Sequence, residues 1–309
     1  MNEETTKERR RKDEETTKKR RRNSEETIKQ KRILNKAKTK KYKHMKRVNL
    51  FLMAMCWTAF VSCSKQSSDI PEVTIDKTKV MRWDFKTLDG WLLGNQDEDY
   101  PQGKDKETYA KVVSDSYAED GWALKIWTKA HTEQRKKQKT VHRYGAGIYT
   151  WRAYIPPMET GAWASIGSFL YNSEGHEIDF EVGSGDAKRR KKLGAKEGQV
   201  VVFMTSQNNP WKQNAEVLID SDQWHTFQIK LAINPQNNHY IATWLIDGVQ
   251  HLHTELNYGQ QYPFRIFCSV ENIDFIGDRI PTRDHYALWD YVTYEPFSNA
   301  IEPVNPDKD

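Results

Sequence analysis

Glu177-Ile178-Asp179-Phe180-Glu181 is the stretch whose reading decides the fold. Strict alternation on a strand sends its three carboxylates to one face and its two apolar side chains to the other. Cleaving a glycosidic bond takes one carboxyl group as acid and a second as nucleophile or base, flanking the same oxygen. Glu177 and Glu181 fit those roles. Their Cα atoms are about 13 Å apart at the rise of an extended chain, so the two side chains must lean together over Asp179. Asp179, wedged between like charges, shares protons with them and keeps the acid partner protonated near neutral pH. His176 has the wrong parity to join that face and reads as a hydrogen-bonded histidine at the start of the strand. An exposed acidic strand face is the alternative for these five residues alone, and the surrounding chain decides between the two.

Outward from this strand, segments rich in Trp, Tyr, Ile, Val and Thr alternate with Gly, Pro, Asn and Asp. Strands are predicted over 123–130, 147–155, 164–170, 177–182, 199–205, 225–233, 240–246 and 286–294. Asp247-Gly248 between two apolar runs is a two-residue hairpin signal. No long helix is indicated, so the chain reads as an all-β sandwich. Two basic runs, Arg135-Lys136-Lys137 with Lys139 and Lys188-Arg189-Arg190-Lys191-Lys192, read as loops. They either keep the domain soluble or attract an anionic polysaccharide.

The formal charge of +5 averages two unlike segments. Residues 1–47 hold 20 Lys and Arg against 8 Asp and Glu, leaving 28 against 35 in residues 48–309. The body is acidic, which argues against a nucleic-acid partner, and nothing in the sequence points to a protein partner. The basic segment repeats Glu3-Glu4-Thr5-Thr6-Lys7 at Glu14 and, with Ile28 for the second Thr, at Glu25, eleven residues apart each time. It has too few apolar residues for a core and reads as disordered. Met45-Lys46-Arg47, the apolar run 48–61 and Ser62-Cys63 then form the parts of an export signal, and the run is short for a membrane span.

Phe60-Val61-Ser62-Cys63 resembles the lipobox of bacterial lipoproteins, which implies acylation of Cys63 and a membrane-anchored protein of the cell envelope, at the outer membrane or cell surface. Residues 1–44 are then expected to be an untranslated extension, 45–63 the signal, 64–80 a tether, 81–298 the single domain and 299–309 a tail. With Cys56 and Cys63 in the signal, Cys268 is alone in the body. No disulfide framework is available, and a buried inert thiol is expected.

Across that domain the residues resemble glycoside hydrolase family 16, the laminarinases, lichenases, agarases and carrageenases. The signature Glu-Ile-Asp-x-Glu is residues 177–181. Gly147 to Pro156, Gly161-Ala162-Trp163, Trp224 to Phe227, Trp244 to Gly248 and Trp289 to Val292 follow in the family's order. The resemblance implies a concanavalin A-like jelly roll of two curved antiparallel sheets with a sugar cleft on the concave face. It also implies retaining, endo-acting hydrolysis of a β-linked polysaccharide (a β-1,3/1,4-glucan or a galactan), with Glu177 as nucleophile, Asp179 assisting and Glu181 as acid/base. A transglycosylase and a non-catalytic glycan-binding lipoprotein stay open as alternatives.

Catalysis is expected to need no cofactor, while Asp290 stands where many family members bind a structural calcium. Trp163 and Trp211 are expected at the cleft as flat sugar contacts. Gly167 and Thr150 replace a tryptophan and an acidic residue common in the family, which predicts one missing stacking surface and one missing cleft carboxylate. The single residue between Asp179 and Glu181 predicts a lichenase-like strand without a bulge.

Overall fold

The structure, a computed structural model, describes residues 73–93, 109–207 and 212–305. Residues 1–44, the signal region with Cys63, and Trp211 lie outside the described residues. Strands dominate, and they form two antiparallel sheets packed face to face. The cleft sheet runs, in spatial order, β10 (Lys212–Asp220), β9 (Gln199–Gln207), β8 (Glu177–Gly183), β7 (Ala164–Tyr171), β14 (Arg265–Asn272), β5 (Arg135–Thr140) and β2 (Trp91–Leu93). The back sheet runs β13 (Val249–Glu255), β12 (Tyr240–Ile246), β11 (Gln223–Ile233), β6 (Gly147–Ile155), β15 (His285–Pro296), β4 (Trp122–Thr128) and β3 (Ala110–Ser114), with β1 (Met81–Trp83) pairing along β15.

Alternation explains both faces of each sheet. On β8 the even positions Ile178, Phe180 and Val182 enter the core, with Ile166 and Leu170 of β7 and Val202 and Met204 of β9 beside them. The back sheet contributes Tyr149, Trp151, Phe227, Ile229, Trp244 and Trp289, all fully buried. Three of these indoles reach across the sandwich to the cleft sheet. Trp244 donates to the carbonyl of Asp179 at 2.9 Å, Trp151 to that of Phe267 at 3.1 Å and Trp289 to Ser168 Oγ at 3.2 Å. A buried indole N–H needs a partner, and here each partner is a group of the opposite sheet.

The predicted strands are all present, within a few residues at their ends. Asp247 and Gly248 both have positive φ, 50° and 78°, and close β12 onto β13 as a two-residue hairpin. β8 pairs with both neighbours without a register shift, so the carboxylate strand has no bulge. Cys268 is fully buried and burial pushes its thiol well up, as an inert core group requires.

The two basic runs are not loops. Residues 135–140 are β5, an element of the cleft sheet, where Arg135, Lys137 and Lys139 alternate onto the cleft face opposite Glu271, Ser269 and Phe267. Pairing with β14 overrides the low strand propensity of lysine. Residues 187–193 form a short helix, α1 (Ala187–Leu193), capped by Asp186 and ended by Gly194 at φ 71°. Its Arg190 is spent on the carbonyls of Ser184, Lys196 and Gln199. Thr150 also differs from expectation. It faces outward on the back sheet, accepting from Gln228 at 3.1 Å, so an acidic residue there would not be in the cleft.

Candidate active site

β8 lies third in the cleft sheet, flanked by two strands on one side and four on the other, and presents Glu177, Asp179 and Glu181 outward. Register places Tyr171, Phe169 and Gly167 of β7 beside them on one side, and Gln207, Thr205 and Phe203 of β9 on the other. Beyond β7, the same rows continue on β14 as Arg265, Phe267 and Ser269, with Glu271 opposite Ser165. Phe169 and Phe267 stack at 4.7 Å and 11°, with Tyr171 edge-on to Phe267 at 6.0 Å. Phe169 and Phe267 cover each other and are 3% and 5% exposed, which leaves Tyr171, at 36%, as the open ring beside the carboxylates, of the kind a sugar covers.

Asp179 and Glu181 are buried and Glu177 is half-buried. Gln207 Nε2 donates to Glu177 at 2.8 Å and to Asp179 at 3.4 Å, and Ser165 Oγ donates to Glu181. Glu271, 1% exposed, is the fourth carboxylate of the cleft. It is ion-paired with Arg135 and with Lys137 Nζ at 3.2 Å. Burial acts to raise its pKa, yet Lys137 and Arg135 prevail and hold it below the usual carboxylate range.

Burial and the negative charge of Glu271 push Glu177 up to about 7, against the opposing pull of Lys137 and Arg135. Burial and Glu271 push Glu181 to about 8, with Glu177 adding to the rise. Asp179 is driven well above the ordinary range by burial and then by its two neighbours, and its Oδ1 has no hydrogen-bond partner. Burial and mutual repulsion thus leave the strand with fewer negative charges than carboxyls near neutrality, so that protonated and ionised groups share one face. Those are the states that acid and nucleophile chemistry at one oxygen require.

Trp163 continues the cleft-side parity of β7 just before the strand begins, half-buried, its backbone bonded to Arg279 and Ile273. Gly167 does leave out a side chain, but the space is filled. A Cβ there would lie 2.4 Å from Ser269 Oγ and 3.2 Å from Glu181 Oε1, so polar groups occupy what a ring would cover. His176 hydrogen-bonds Asn172 and packs on Tyr258 at 4.0 Å, away from the carboxylate row.

Asp290 does not fit a calcium site. Its buried carboxylate is ion-paired with Arg152 and accepts the N–H of Glu119 at 3.1 Å, so a guanidinium stands where the cation would have to be. Among the described residues no group of three or more His, Cys, Asp or Glu could hold a metal.

Gln207, Ser165, Glu271, Lys137 and Arg135 carry no motif, and sequence reading missed their place in the site. The one available signal was the alternation within Arg135-Lys136-Lys137-Gln138-Lys139.

No protein-family model matches the chain, and no curated protein matches it. Solved structures do. A structure from human gut-microbiota endo-acting O-glycanases that initiate mucin breakdown superposes with TM-score 0.51 at 14% identity, covering 72% of this chain and 100% of that one. A Bacillus licheniformis beta-glucanase gives 0.47 at 16% identity, covering 70% of this chain and 97% of the other. A Bacteroides ovatus GH16 protein of a mixed-linkage glucan locus gives 0.48 at 13%, covering 69% and 98%. At identities this low, likeness speaks for the backbone and not for the substrate. With its two antiparallel sheets in this order and the superposition at 0.51, the chain has a fold like that of glycoside hydrolase family 16, a jelly-roll β-sandwich.

Proposed function

We propose that the chain is a retaining hydrolase of a β-linked polysaccharide, with Glu177 as nucleophile, Glu181 as general acid/base and Asp179 as the proton-holding group between them. What supports this is the placement of Glu177, Asp179 and Glu181 on one outward strand face, with Gln207 bonded to Glu177 and Ser165 to Glu181, and with burial raising all three above the usual carboxylate range. Ionised Glu177 attacks the anomeric carbon while the glycosidic oxygen leaves with the Glu181 proton. Glu181, now a carboxylate, takes a proton from water as that water attacks the same carbon and frees Glu177. Gln207, bonded to Glu177, fixes the direction of the attacking oxygen. Tyr171 and Trp163 bind sugar rings beside the carboxylates, and Trp211 is a further ring contact in this reading. Export with a lipid tether at Cys63, an untranslated 1–44 and a domain over 81–298 belong to the same proposal. Incorporation of labelled palmitate, lost in Cys63→Ser, tests the tether.

The test of activity is product analysis on a panel of β-glucans, galactans and mucin glycans. Glu177→Gln and Glu181→Gln are each expected to lose at least about a thousandfold in kcat/KM while keeping their Tm within a few degrees. Near-normal turnover in either variant would refute the assignment. Binding without cleavage by the unaltered chain would favour a glycan-binding protein, and acceptor-dependent lengthening of products a transglycosylase.

A further inference from the structure

The outward face of the back sheet carries a second chemical feature, on the side of the sandwich away from the carboxylates. At its edge, Lys111 of β3 stands directly opposite Lys125 of β4. With Lys129, Trp127, Asp284, His285 and Tyr286 they line a recess of about 190 Å³. Lys125 Nζ lies 4.6 Å over the Tyr286 ring and Lys111 Nζ 5.9 Å over Trp127. Like charges directly across a strand pair destabilise a sheet. Here the only carboxylate of the lining is Asp284, and it is engaged by Lys129 Nζ at 2.8 Å and by the N–H of Ala130 at 2.9 Å. Burial and then the charge of Lys111 hold Lys125 below the usual lysine range. His285, 3% exposed, has an Nε2 with no hydrogen-bond partner, and burial with Arg283 lowers it to about 4, so it is neutral at pH 7.

The recess does not end at Tyr286. Tyr286 stacks on Tyr154 of β6 at 6.4 Å and 27°, and Tyr154 meets Trp224 of β11 at 5.7 Å, with the Arg152 guanidinium 4.8 Å from that ring. Half-buried rings from four neighbouring strands thus form a strip about 15 Å long at the strand spacing of a sheet. Outward rings of this kind contribute nothing to the core between the sheets. Sugar faces are what such rings hold, and a cluster of ammonium groups with one engaged carboxylate calls for an anion.

We propose that this recess is a second glycan-binding site, taking a sugar residue with an anionic substituent, a sulfate ester or a carboxylate, on the face opposite the candidate active site. The anion sits among Lys111, Lys125 and Lys129, the ring lies against Trp127 and Tyr286, and the strip through Tyr154 to Trp224 carries the adjoining sugars. The volume suits one ring with its substituent, being below that of pockets that enclose larger ligands. Lys111 and Lys129 are exposed and Lys125 is half-buried beside the Tyr286 ring, and this mixture of ammonium groups with an aromatic strip favours a sugar bearing an anion over a membrane surface. The site stands whether or not the carboxylates hydrolyse anything.

The test is calorimetric titration of the full chain with three tetrasaccharides: chondroitin 4-sulfate, its desulfated form that keeps the uronate carboxylates, and neutral cellotetraose. Lys111→Gln/Lys125→Gln, Trp127→Ala and Glu177→Gln are compared with the unaltered protein. The lysine pair variant removes facing like charges, so its Tm is expected to hold. Binding of an anionic tetrasaccharide that falls by more than about tenfold in that variant, is weakened in Trp127→Ala and is unchanged in Glu177→Gln supports the site. Equal binding of both anionic forms identifies the carboxylate as the group recognised, and binding of the sulfated form alone identifies the sulfate. Unchanged affinity in the lysine variant, or cellotetraose bound as tightly, overturns the proposal. So does lysine-dependent binding to phosphatidylglycerol vesicles with none to the tetrasaccharides, which would reassign the face to a membrane surface.

Discussion

Glu177 and Glu181 share a strand, a face and a neighbouring carboxylate, and burial, with the charge of Glu271 adding to it, raises both well above the usual carboxylate range. The two titrate as a coupled pair, so kcat/KM should be bell-shaped, rising with an apparent pKa near 7 and falling with one near 8. A pH–rate profile on a soluble polysaccharide checks this. A plateau extending down to pH 5 would show that the candidate nucleophile is already ionised there and that burial does not govern it. Burial sets both limbs, the charge of Glu271 adds to each, and Lys137 opposes it. The three carboxylates of β8 were legible because their period of two and their chemistry lie within five residues. Glu271 was not, since its relevance comes from register with Ser165, a pairing between segments more than a hundred positions apart.

At the scale of elements, β8 is held from behind as well as from its flanks. Trp244 of β12 donates a further hydrogen bond to the Asp179 carbonyl at 2.9 Å, and Trp244→Phe removes that donor together with part of the buried ring. The expected cost is about 1–3 kcal/mol, read as a lower midpoint in urea, with a loss of kcat larger than that of a surface control. Eight of the fifteen strands among the described residues were legible in the sequence, but not their order in the sheets. Eight strands announced themselves through Val, Ile, Trp and Tyr in alternation, and Asp247-Gly248 announced its hairpin. β5 did not, because four cations in six residues look like solvated loop until β14 pairs with them. β1 and β2 are three residues each, too short for any period to register. Trp211, read from sequence as a cleft contact, lies outside the described residues.

For the whole molecule, the raised carboxylates carry a stability consequence whose sign is fixed. Unfolded, these groups lose their protons near the ordinary carboxylate value of about 4, while the folded protein still holds them up to about 7 and 8. The stability contributed by these carboxyls should therefore fall as pH rises from about 4 through 8, opposed between about 4 and 6.5 by His285, whose lowered value favours folding as pH rises. Glu181→Gln should flatten the decline and be the more stable form at pH 8, which thermal melts at several pH values would reveal. Because Arg152 already satisfies Asp290, EDTA should leave Tm unchanged, and a drop of several degrees would place a bound cation elsewhere in the chain. The three indoles that span the sandwich, Trp151, Trp244 and Trp289, bear on how its loss of structure can be watched. Their emission moves to the red when water enters between the sheets. A red shift should therefore coincide in time with inactivation during heating, with the Asp179 backbone exchanging its amide hydrogens only when both occur.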